Sequence, residues 1–134
     1  MLAVATPKGG RLVSLSAAEV LAIHHRQIET HGGSHGVRDV GALEAAVFRP
    51  QTGYYTSLPE EASPPMESLA NSHPFLDGNK RVAFDASHTF LLMNGFTIEA
   101  DPAETYAFMV DAIAEGRFRF PVILDWLNAH LKPS

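Results

Sequence analysis

Cysteine is absent from the 134-residue sequence, which excludes a disulfide framework, a thiolate metal site and a cysteine nucleophile. Positive charge is also scarce, because 10 Lys and Arg stand against 15 Asp and Glu, for a net charge of −5. This balance argues against a general nucleic-acid-binding protein, since most of that affinity comes from clustered cations. No apolar run approaches the ~20 residues of a membrane span, and the first eight residues lack the features of a signal peptide. We therefore expect a cytoplasmic protein with no membrane partner.

The rest of the composition is that of an ordinary globular protein, with 46% hydrophobic and 19% charged residues. A chain this apolar is not expected to be disordered. The sequence contains no internal repeat, no low-complexity tract and no linker long enough to separate two domains. Because roughly 100–150 residues is the commonest domain size, we expect one domain over residues 1–134, with a loose segment at 1–10.

Apolar spacing and capping residues predict an all-α domain of about six helices, with brief extended stretches near 11–15 and 96–98. Ser16 and Glu19 are spaced as a capping box, and Asp101 before a proline is typical of a helix start. The helix near 79–94 is the most apolar, so we expect it in the middle of the domain. The predicted helices span about 17–30, 40–48, 65–71, 79–94, 102–115 and 122–131.

Residues 49–65 break the helical pattern, because they contain four prolines on either side of the β-favouring residues 54–56. We interpret this segment as an extended flap at the surface, immediately before the short helix predicted at 65–71. A loop of this length in a small domain is uncommon unless it has a function. The prolines are Pro50, Pro59, Pro64 and Pro65.

The junction at 73–81, His-Pro-Phe-Leu-Asp-Gly-Asn-Lys-Arg, carries the clearest chemical signal in the sequence. Lys80 and Arg81 fall in the first turn of the central helix, where the helix dipole disfavours cations by up to ~1 kcal/mol each. Two cations at that position suit a site that holds a strong anion, with Asn79 and the helix amides as further donors. Gly78 has no Cβ, so a phosphate could approach the main chain closely.

Two further residues of the junction indicate catalysis. Asp77 would repel a bare phosphate unless a divalent cation lay between them, and Mg²⁺ commonly binds one carboxylate plus phosphate oxygens. His73 is the only nearby side chain that accepts a proton near neutral pH. Each residue alone also fits a plain turn or a solvated helix start, so the prediction of a nucleotide site depends on their occurring together.

The junction resembles the Fic/Doc signature, H-x-F-x-(D/E/N)-x-N-x-R. The domain size, the helical layout and residues 36–51 and 93–95 resemble the Doc, or death-on-curing, branch of that superfamily. The resemblance covers most of residues 11–131 and implies the all-α Fic/Doc fold. It also implies individual roles: His73 would be the catalytic base, Asp77 would hold Mg²⁺, and Gly78, Asn79, Lys80 and Arg81 would bind the phosphates of ATP.

Two departures from the adenylylating Fic pattern, H-x-F-x-(D/E)-G-N-G-R-x-x-R, decide which reaction the resemblance implies. Lys80 replaces a glycine, and Phe84 replaces the second arginine, which is understood to hold the γ-phosphate during AMP transfer. Without that arginine ATP can present its γ-phosphate instead, as described for Doc-type kinases. Two alternatives stay open: Fic-type AMP transfer, and a catalytically silent corepressor that binds an antitoxin.

The resemblance thus implies a toxin of a type II toxin–antitoxin pair, which phosphorylates a Ser or Thr hydroxyl of a translation factor. Elongation factor Tu is the implied target, and the flap residues Gln51, Thr52 and Gly53 would align it by main-chain pairing. Phe75 would anchor the junction in the core. A Phd-like antitoxin would fold its C-terminal segment into a groove on the toxin, and contact with nucleic acid would pass only through that antitoxin.

Inhibition by a segment of the same chain is not expected. Self-inhibited Fic proteins carry (S/T)-x-x-x-E-(G/N), whose Glu pairs with the second arginine of the active-site motif. Three partial matches begin at Thr56, Ser57 and Ser63, but none ends in Gly or Asn and each contains a helix-breaking proline. Phe84 also removes the arginine that such a Glu would bind.

Other histidines and charges are expected to be structural. Four histidines invite a metal hypothesis, which we rank lower because no two of them share a helical face with an acidic third ligand. His88 is expected inside the domain, paired with Asp85. The four histidines are His24, His25, His31 and His35. Arg38 with Asp39 is interpreted as a helix cap and Glu44 as a helix-face charge, with lining of the cleft as the alternative, and the aromatic residues Phe118, Phe120 and Trp126 are expected in the core.

Overall fold

The computed structural model describes residues 14–48 and 57–134, and within those ranges it is mainly helical. Six helices in the described ranges confirm the predicted all-α architecture, to which the structure adds one two-stranded sheet. The flap residues Gln51, Thr52 and Gly53 and the segment 1–10 lie outside the described residues. The elements are α1 (Ala17–His31), α2 (Val40–Phe48), α3 (Leu58–Asn71), α4 (Asn79–Met93), β1 (Phe96–Ile98), α5 (Pro102–Ala114), α6 (Phe120–His130) and β2 (Leu131–Pro133).

Capping residues start three helices where the sequence predicts. The Ser16 side chain accepts a hydrogen bond from the Glu19 amide, and the Glu19 carboxylate accepts one from the Ser16 amide, which completes the predicted capping box of α1. Asp101 caps α5, and Asp39 caps α2, each by accepting from the amide three residues on. These bonds satisfy amides that have no partner within the helix, so local sequence predicts their positions well.

Helix α3 begins at Leu58, seven residues before its predicted start, so the prediction of an extended flap is wrong for residues 58–65. Ser57 begins the helix by accepting a hydrogen bond from the amide three residues on, at 3.3 Å. Pro59 lies in the first turn, where a backbone amide has no helical acceptor and its loss costs nothing. The proline that seemed to exclude a helix here instead fits the start of one.

Two prolines, Pro64 and Pro65, lie inside α3, where each removes a backbone hydrogen bond. The helix persists because it packs against α2, α4 and α6, and this burial outweighs the local preference of the prolines. The proline argument against an inhibitory helix is therefore wrong from residue 58 onward, whereas the lack of the second arginine is unaffected. The buried apolar side chains of α3 include Leu58, Ala62, Met66, Leu69 and Ala70.

Helix α4 lies in the middle of the fold, as predicted, since it packs against α1, α3 and β1. It ends at Met93, and the buried Asn94 side chain donates to the Phe90 carbonyl at 2.8 Å. Gly95 follows with a φ of 90°, which a glycine adopts without strain. The side chains that α4 buries are Val82, Ala83, Ala86, Ser87, Phe90 and Leu91.

Strands β1 and β2 form a short antiparallel pair, in which Phe96 lies opposite Pro133 and Ile98 opposite Leu131. The extended stretch predicted at 96–98 is confirmed. Leu131 was predicted to end the final helix and instead begins β2, because its partner strand is distant in sequence and local periodicity carries no sign of it. No helix in the described ranges has the length and apolar character needed to cross a membrane.

Candidate active site

His73 lies in the loop between α3 and α4, residues 72–78, which we call the active-site loop. Its side chain is exposed, and its φ of 50° is the one positive value among the described non-glycine residues. Such a backbone is strained and persists only where neighbouring contacts fix it. The Arg38 guanidinium supplies two such contacts, donating from Nε to the His73 carbonyl (2.8 Å) and from Nη2 to the Ser72 carbonyl (2.9 Å). Arg38 therefore sets the backbone from which the His73 imidazole projects.

The main chain around Arg38 also holds the active-site loop. The Pro74 carbonyl accepts hydrogen bonds from the amides of Arg38 and Asp39, at 2.7 and 3.0 Å. The neighbouring Val37 forms an antiparallel bridge with Phe75. Of the pair predicted as a helix cap, Asp39 caps α2, whereas the Arg38 side chain braces the active-site loop through bonds to residues that are distant in sequence.

His24 of α1 fixes the second half of the active-site loop. Its ring stacks on that of Phe75, with centroids 3.9 Å apart and planes 7° apart, and its Nε2 donates to the Asp77 carbonyl at 2.9 Å. Burial lowers the pKa of His24, and the hydrogen bond to Asp77 partly opposes that shift, so the neutral ring is favoured. Phe75 is 1% exposed, which confirms that it anchors the loop in the core. Sequence reasoning considered His24 only as a metal ligand and missed this role.

The Asp77 carboxylate is exposed at the surface and oriented by the loop between α1 and α2. Its Oδ2 accepts a hydrogen bond from the Ser34 amide at 2.8 Å. Gly33 packs closely beside it, because a Cβ added to Gly33 would lie 3.2 Å from the Asp77 Cβ. Since the Ser34 bond engages one oxygen, the other can act as a ligand to a divalent cation.

The first turn of α4 provides amides that have no helical acceptor. Gly78 precedes the helix in a left-handed conformation (φ 81°, ψ 13°), and none of the described side chains caps the helix. The first turn also contains no acidic residue. The amides of Asn79, Lys80 and Arg81 therefore lie at the positive end of the helix dipole, where a phosphate or another anion binds favourably.

Lys80 and Arg81 add positive charge to this helix start, and neither forms an ion pair with any residue of the described ranges. The Arg81 guanidinium lies over the Tyr106 ring, 5.3 Å from its centroid. Both cations line a cleft of about 470 Å³ that Gln27 of α1 and Tyr106 of α5 also line. A cleft of this size suits a small-molecule ligand, and its cations suit one that carries phosphate.

Asn79 shapes the active-site loop as well as facing a possible ligand. Its Oδ1 accepts from the Phe75 amide and its Nδ2 donates to the Phe75 carbonyl, both at 3.0 Å. These bonds use one of the two Nδ2 hydrogens, so the second is chemically able to donate to a phosphate. The sequence predicted only the second of these two roles.

Phe84 lines the same cleft at the position where the Fic pattern has its second arginine. Its ring meets those of His88 and Trp126, with centroid distances of 5.8 and 6.4 Å. Trp126 in turn stacks on Phe108 at 5.6 Å, in agreement with its predicted core position. An uncharged aromatic ring therefore occupies the position at which that pattern has an arginine.

The predicted pair between His88 and Asp85 is wrong. His88 Nε2 lies 2.9 Å from the Thr97 hydroxyl oxygen, with which it forms a hydrogen bond. Asp85 Oδ2 instead accepts hydrogen bonds from Arg26 Nη2 at 3.0 Å and Gln27 Nε2 at 2.8 Å. The two donors on α1 are brought to Asp85 by helix packing, which the spacing within α4 does not reveal.

Two of the four histidines come together with an acidic residue. His25 and Glu29 lie one turn apart on α1, and His35 reaches them from the following loop. Glu29 Oε1 lies 3.8 Å from His25 Nε2 and 2.9 Å from His35 Nε2. No two histidines of the cluster share a helical face, as predicted, but spacing along a helix does not reveal that the loop brings His35 to this site.

Comparison with known proteins gives matches over the region that carries this loop. Residues 14–91 match the model of the Fic/DOC family. Toxin Doc of Mycolicibacterium smegmatis is 48% identical over 75 residues, which are 52% of this chain and 58% of that protein. Protein kinase doc of Escherichia phage P1 is 33% identical over 92 residues, which are 66% of this chain and 73% of that protein. The chain thus spans less than two thirds of the first relative and more than two thirds of the second.

Proposed function

The chain belongs to the Fic/DOC family, and on that premise we propose that it is a toxin that phosphorylates a protein. The reaction is transfer of the γ-phosphate of ATP to a Ser or Thr hydroxyl of a translation factor, with elongation factor Tu as the expected target. The names of the two relatives, a toxin and a protein kinase, support this class of function. Arrest of protein synthesis would follow from the modification.

The observation that carries the proposal is the start of α4, where two cations without ion pairs in the described ranges stand beside uncapped amides. Natural helices usually have acidic residues there, since cations are disfavoured by the dipole. The two cations are explained if the start of α4 binds a polyphosphate. Lys80 and Arg81 would neutralise its charge, and the amides after Gly78 would donate hydrogen bonds to it. The adjoining cleft of about 470 Å³ has room for a nucleoside.

The residues present also fit a magnesium ion. Mg²⁺ prefers oxygen ligands and is commonly bound by one or two carboxylates plus substrate phosphates. Asp77 offers one exposed carboxylate close in sequence to the phosphate-binding residues, and Ser34 fixes its orientation through Oδ2. When bound, Mg²⁺ supplies neutralisation of phosphate charge.

His73 acts as the general base in this proposal. Its imidazole takes the proton from the target hydroxyl while the hydroxyl oxygen forms a bond to the γ-phosphorus. The bond from that phosphorus to the bridging oxygen breaks, and the electron pair leaves with ADP. General-base assistance contributes typically ~10²–10⁴ in rate, and positioning by Arg38 keeps the imidazole where this transfer is possible.

The aromatic wall at Phe84 favours phosphate transfer over AMP transfer. An arginine at this position would hold the γ-phosphate and leave the α-phosphorus open to attack, whereas Phe84 offers no charge and packs against Trp126. Lys80 adds a cation where the adenylylating pattern has glycine. Both differences support binding of ATP with its γ-phosphate toward the target.

The proposal includes a partner and a location. A Phd-like antitoxin would restrain the enzyme by folding its C-terminal segment onto the toxin, and contact with nucleic acid would occur only through that antitoxin. The flap residues Gln51, Thr52 and Gly53 would align the target segment. A target in protein synthesis implies that the enzyme acts in the cytoplasm.

Growth arrest in cells tests the assignment of the site. Expression of the wild-type chain should stop growth, and His73→Ala or Lys80→Ala should each abolish the arrest while circular dichroism shows an unchanged fold. Lys132→Ala is the matched control, because Lys132 of β2 pairs only with the exposed Glu99, which follows β1, among the ion pairs of the described residues, and its loss should leave toxicity intact. Toxicity that survives both His73→Ala and Lys80→Ala would contradict the assignment.

A further inference from the structure

A second cluster of metal-binding side chains lies on α1 and the loop that follows it, apart from the Mg²⁺ position proposed above. It comprises His25, Glu29 and His35, whose ligating atoms all lie within 4.8 Å of one another. The two imidazole rings are 4.8 Å apart between centroids and tilted by 33°. All three side chains are exposed, so a solvated ion can reach them.

The chemistry of these three residues suits a transition-metal ion. Two histidines and one carboxylate are the protein ligands of several zinc sites, in which water completes the coordination. Imidazole favours zinc and similar ions, whereas magnesium prefers oxygen ligands only. The cluster therefore differs in selectivity from Asp77.

The geometry is close to what such an ion requires. Ligand atoms around a tetrahedral zinc ion lie about 3.3 Å apart, given bonds of about 2.0–2.1 Å. Glu29 Oε1 and His35 Nε2 already lie 2.9 Å apart, and His25 Nε2 is 3.8 Å from the same oxygen. The contact between His35 and Glu29 is a hydrogen bond in this structure, which bonds from both residues to the metal would replace.

We propose that His25, Glu29 and His35 bind Zn²⁺ or a similar divalent transition-metal ion, which fixes the loop that orients Asp77. The loop contains three glycines with positive φ, at 32, 33 and 36, so its backbone is intrinsically permissive. A metal bond to His35 would tie this segment to two residues of α1.

The loop carries that constraint directly to the active-site loop. Ser34, next to His35, donates its amide to Asp77 Oδ2 at 2.8 Å. Gly36, on the other side of His35, accepts a hydrogen bond from the Leu76 amide at 3.1 Å. Binding of a metal by His35 therefore restrains two of the residues that contact the segment 76–77.

Zinc titration of the full chain, purified without a histidine tag and in excess Mg²⁺, tests the site by calorimetry. The wild type should bind one equivalent, and His25→Ala and His35→Ala should each weaken binding at least ~10-fold. His31→Ala is the matched control, since His31 is an exposed histidine of the same helix outside the cluster, and it should bind zinc as the wild type does. Absence of saturable binding, or equal affinity in His35→Ala, would reduce the cluster to an exposed ion pair and overturn the proposal.

Two further measurements keep the test independent of folding and of the proposed enzyme activity. Cobalt(II) should give a visible absorption band with the wild type that His35→Ala lacks, while the circular dichroism of the two proteins agrees. Hydrogen exchange of the Ser34 amide should slow on addition of zinc in the wild type and stay unchanged in His35→Ala. Zinc binding at the cluster without slower exchange at Ser34 would contradict the link to Asp77. No nucleotide or target protein is present, so these outcomes do not depend on whether the chain is a kinase.

Discussion

Arg38 holds the backbone of His73, the residue that we propose as the general base. His73 has an unfavourable φ of 50°, and its carbonyl and that of Ser72 are both held by the Arg38 guanidinium. A planar guanidinium can serve two adjacent carbonyls at once, which an ammonium group does less well. The strained backbone of His73 is thus held in place by a side chain from a distant part of the sequence.

In an assay that follows transfer of label from ATP to the target protein, Arg38→Ala should lower kcat by about 10–100-fold. The reason is that a displacement of the His73 imidazole by about 1 Å can cost 10²-fold in rate. The KM for ATP should stay near the wild-type value, since the phosphate-binding residues begin at Gly78. The kcat of Arg38→Lys should lie between those of the wild type and Arg38→Ala. Kinetics over a range of ATP concentrations measure both constants, with Arg117→Ala, whose guanidinium pairs with the exposed Glu115, as the control. A raised KM with unchanged kcat would argue against a positioning role.

Glu61 is a buried carboxyl group of α3 whose ionisation opposes folding. It is 8% exposed within α3, and none of the described groups bonds to its Oε2. Burial, together with the neighbouring Glu60 carboxylate, raises its pKa from 4.5 to about 7. A raised pKa in the folded state means that stability is fully present below about pH 4.5 and is lost as the pH rises through about 7.

Glu61→Gln should therefore stabilise the protein at pH 8 by about 1–3 kcal/mol, at 1.36 kcal/mol per unit of pKa. At pH 5 the same change should have little effect, because the wild-type carboxyl is then protonated. Urea unfolding at the two pH values measures the difference, and the exposed Glu44→Gln should give none at either. Equal stabilisation at both pH values would show that ionisation of Glu61 is not the cause.

Among the elements, the helices with local capping signals are the ones that the sequence predicts. The start of α1 at the Ser16 capping box and the start of α5 at Asp101 are both correct, because the stabilising bonds span three residues. The predictions for the start of α3 and for Leu131 are wrong, because burial of α3 against other helices and pairing of β2 with β1 overrule the local signals. What sequence cannot supply here is the identity of distant neighbours.

The active-site loop follows the same division. Its chemical residues are contiguous at 73–81, so the motif could be found in the sequence and its loop position is confirmed. Its supports, His24, Ser34 and Arg38, come from α1 and the segment before α2. Arg38 lies within the stretch 36–51 that resembles Doc-type proteins, but nothing in the sequence indicates that these three residues contact the loop, because only the fold brings them to it.

A pair of adjacent glycines tests how the loop after α1 supports Asp77. Both Gly32 and Gly33 have positive φ, but an added Cβ meets nothing within 4 Å at Gly32 and lies 3.2 Å from the Asp77 Cβ at Gly33. Gly32 has a φ of 85° and a ψ of 174°, a conformation that essentially only glycine adopts, so Gly32→Ala should cost roughly 1–3 kcal/mol in unfolding free energy from backbone strain alone. Gly33→Ala should cost more and should also displace Asp77.

The readout that separates the two variants is the Mg²⁺ concentration that gives half-maximal label transfer. Gly33→Ala should raise this concentration several-fold, whereas Gly32→Ala should leave it at the wild-type value. If both variants needed the same Mg²⁺ concentration as the wild type, close packing at Gly33 would not be what positions Asp77.

For the molecule as a whole, the distribution of charge says more about the ligand than the net charge does. The chain carries −5 overall, yet two of its 10 cations stand together at the start of α4. The acidic surface argues against binding a nucleic-acid backbone, and the local cations favour a single polyphosphate ligand. A small enzyme that acts on one nucleotide and one protein target fits both facts.

The position of the transferred label in ATP distinguishes phosphate transfer from AMP transfer. The purified chain is incubated with Mg²⁺ and elongation factor Tu, once with ATP labelled at the γ-phosphate and once with ATP labelled at the α-phosphate. We expect that label from the γ-phosphate alone appears on the target, and that His73→Ala transfers none. Label from the α-phosphate on the target would show AMP transfer, and no transfer from either position to any protein of a cell lysate would show a binding protein, so either result would overturn the proposed kinase activity.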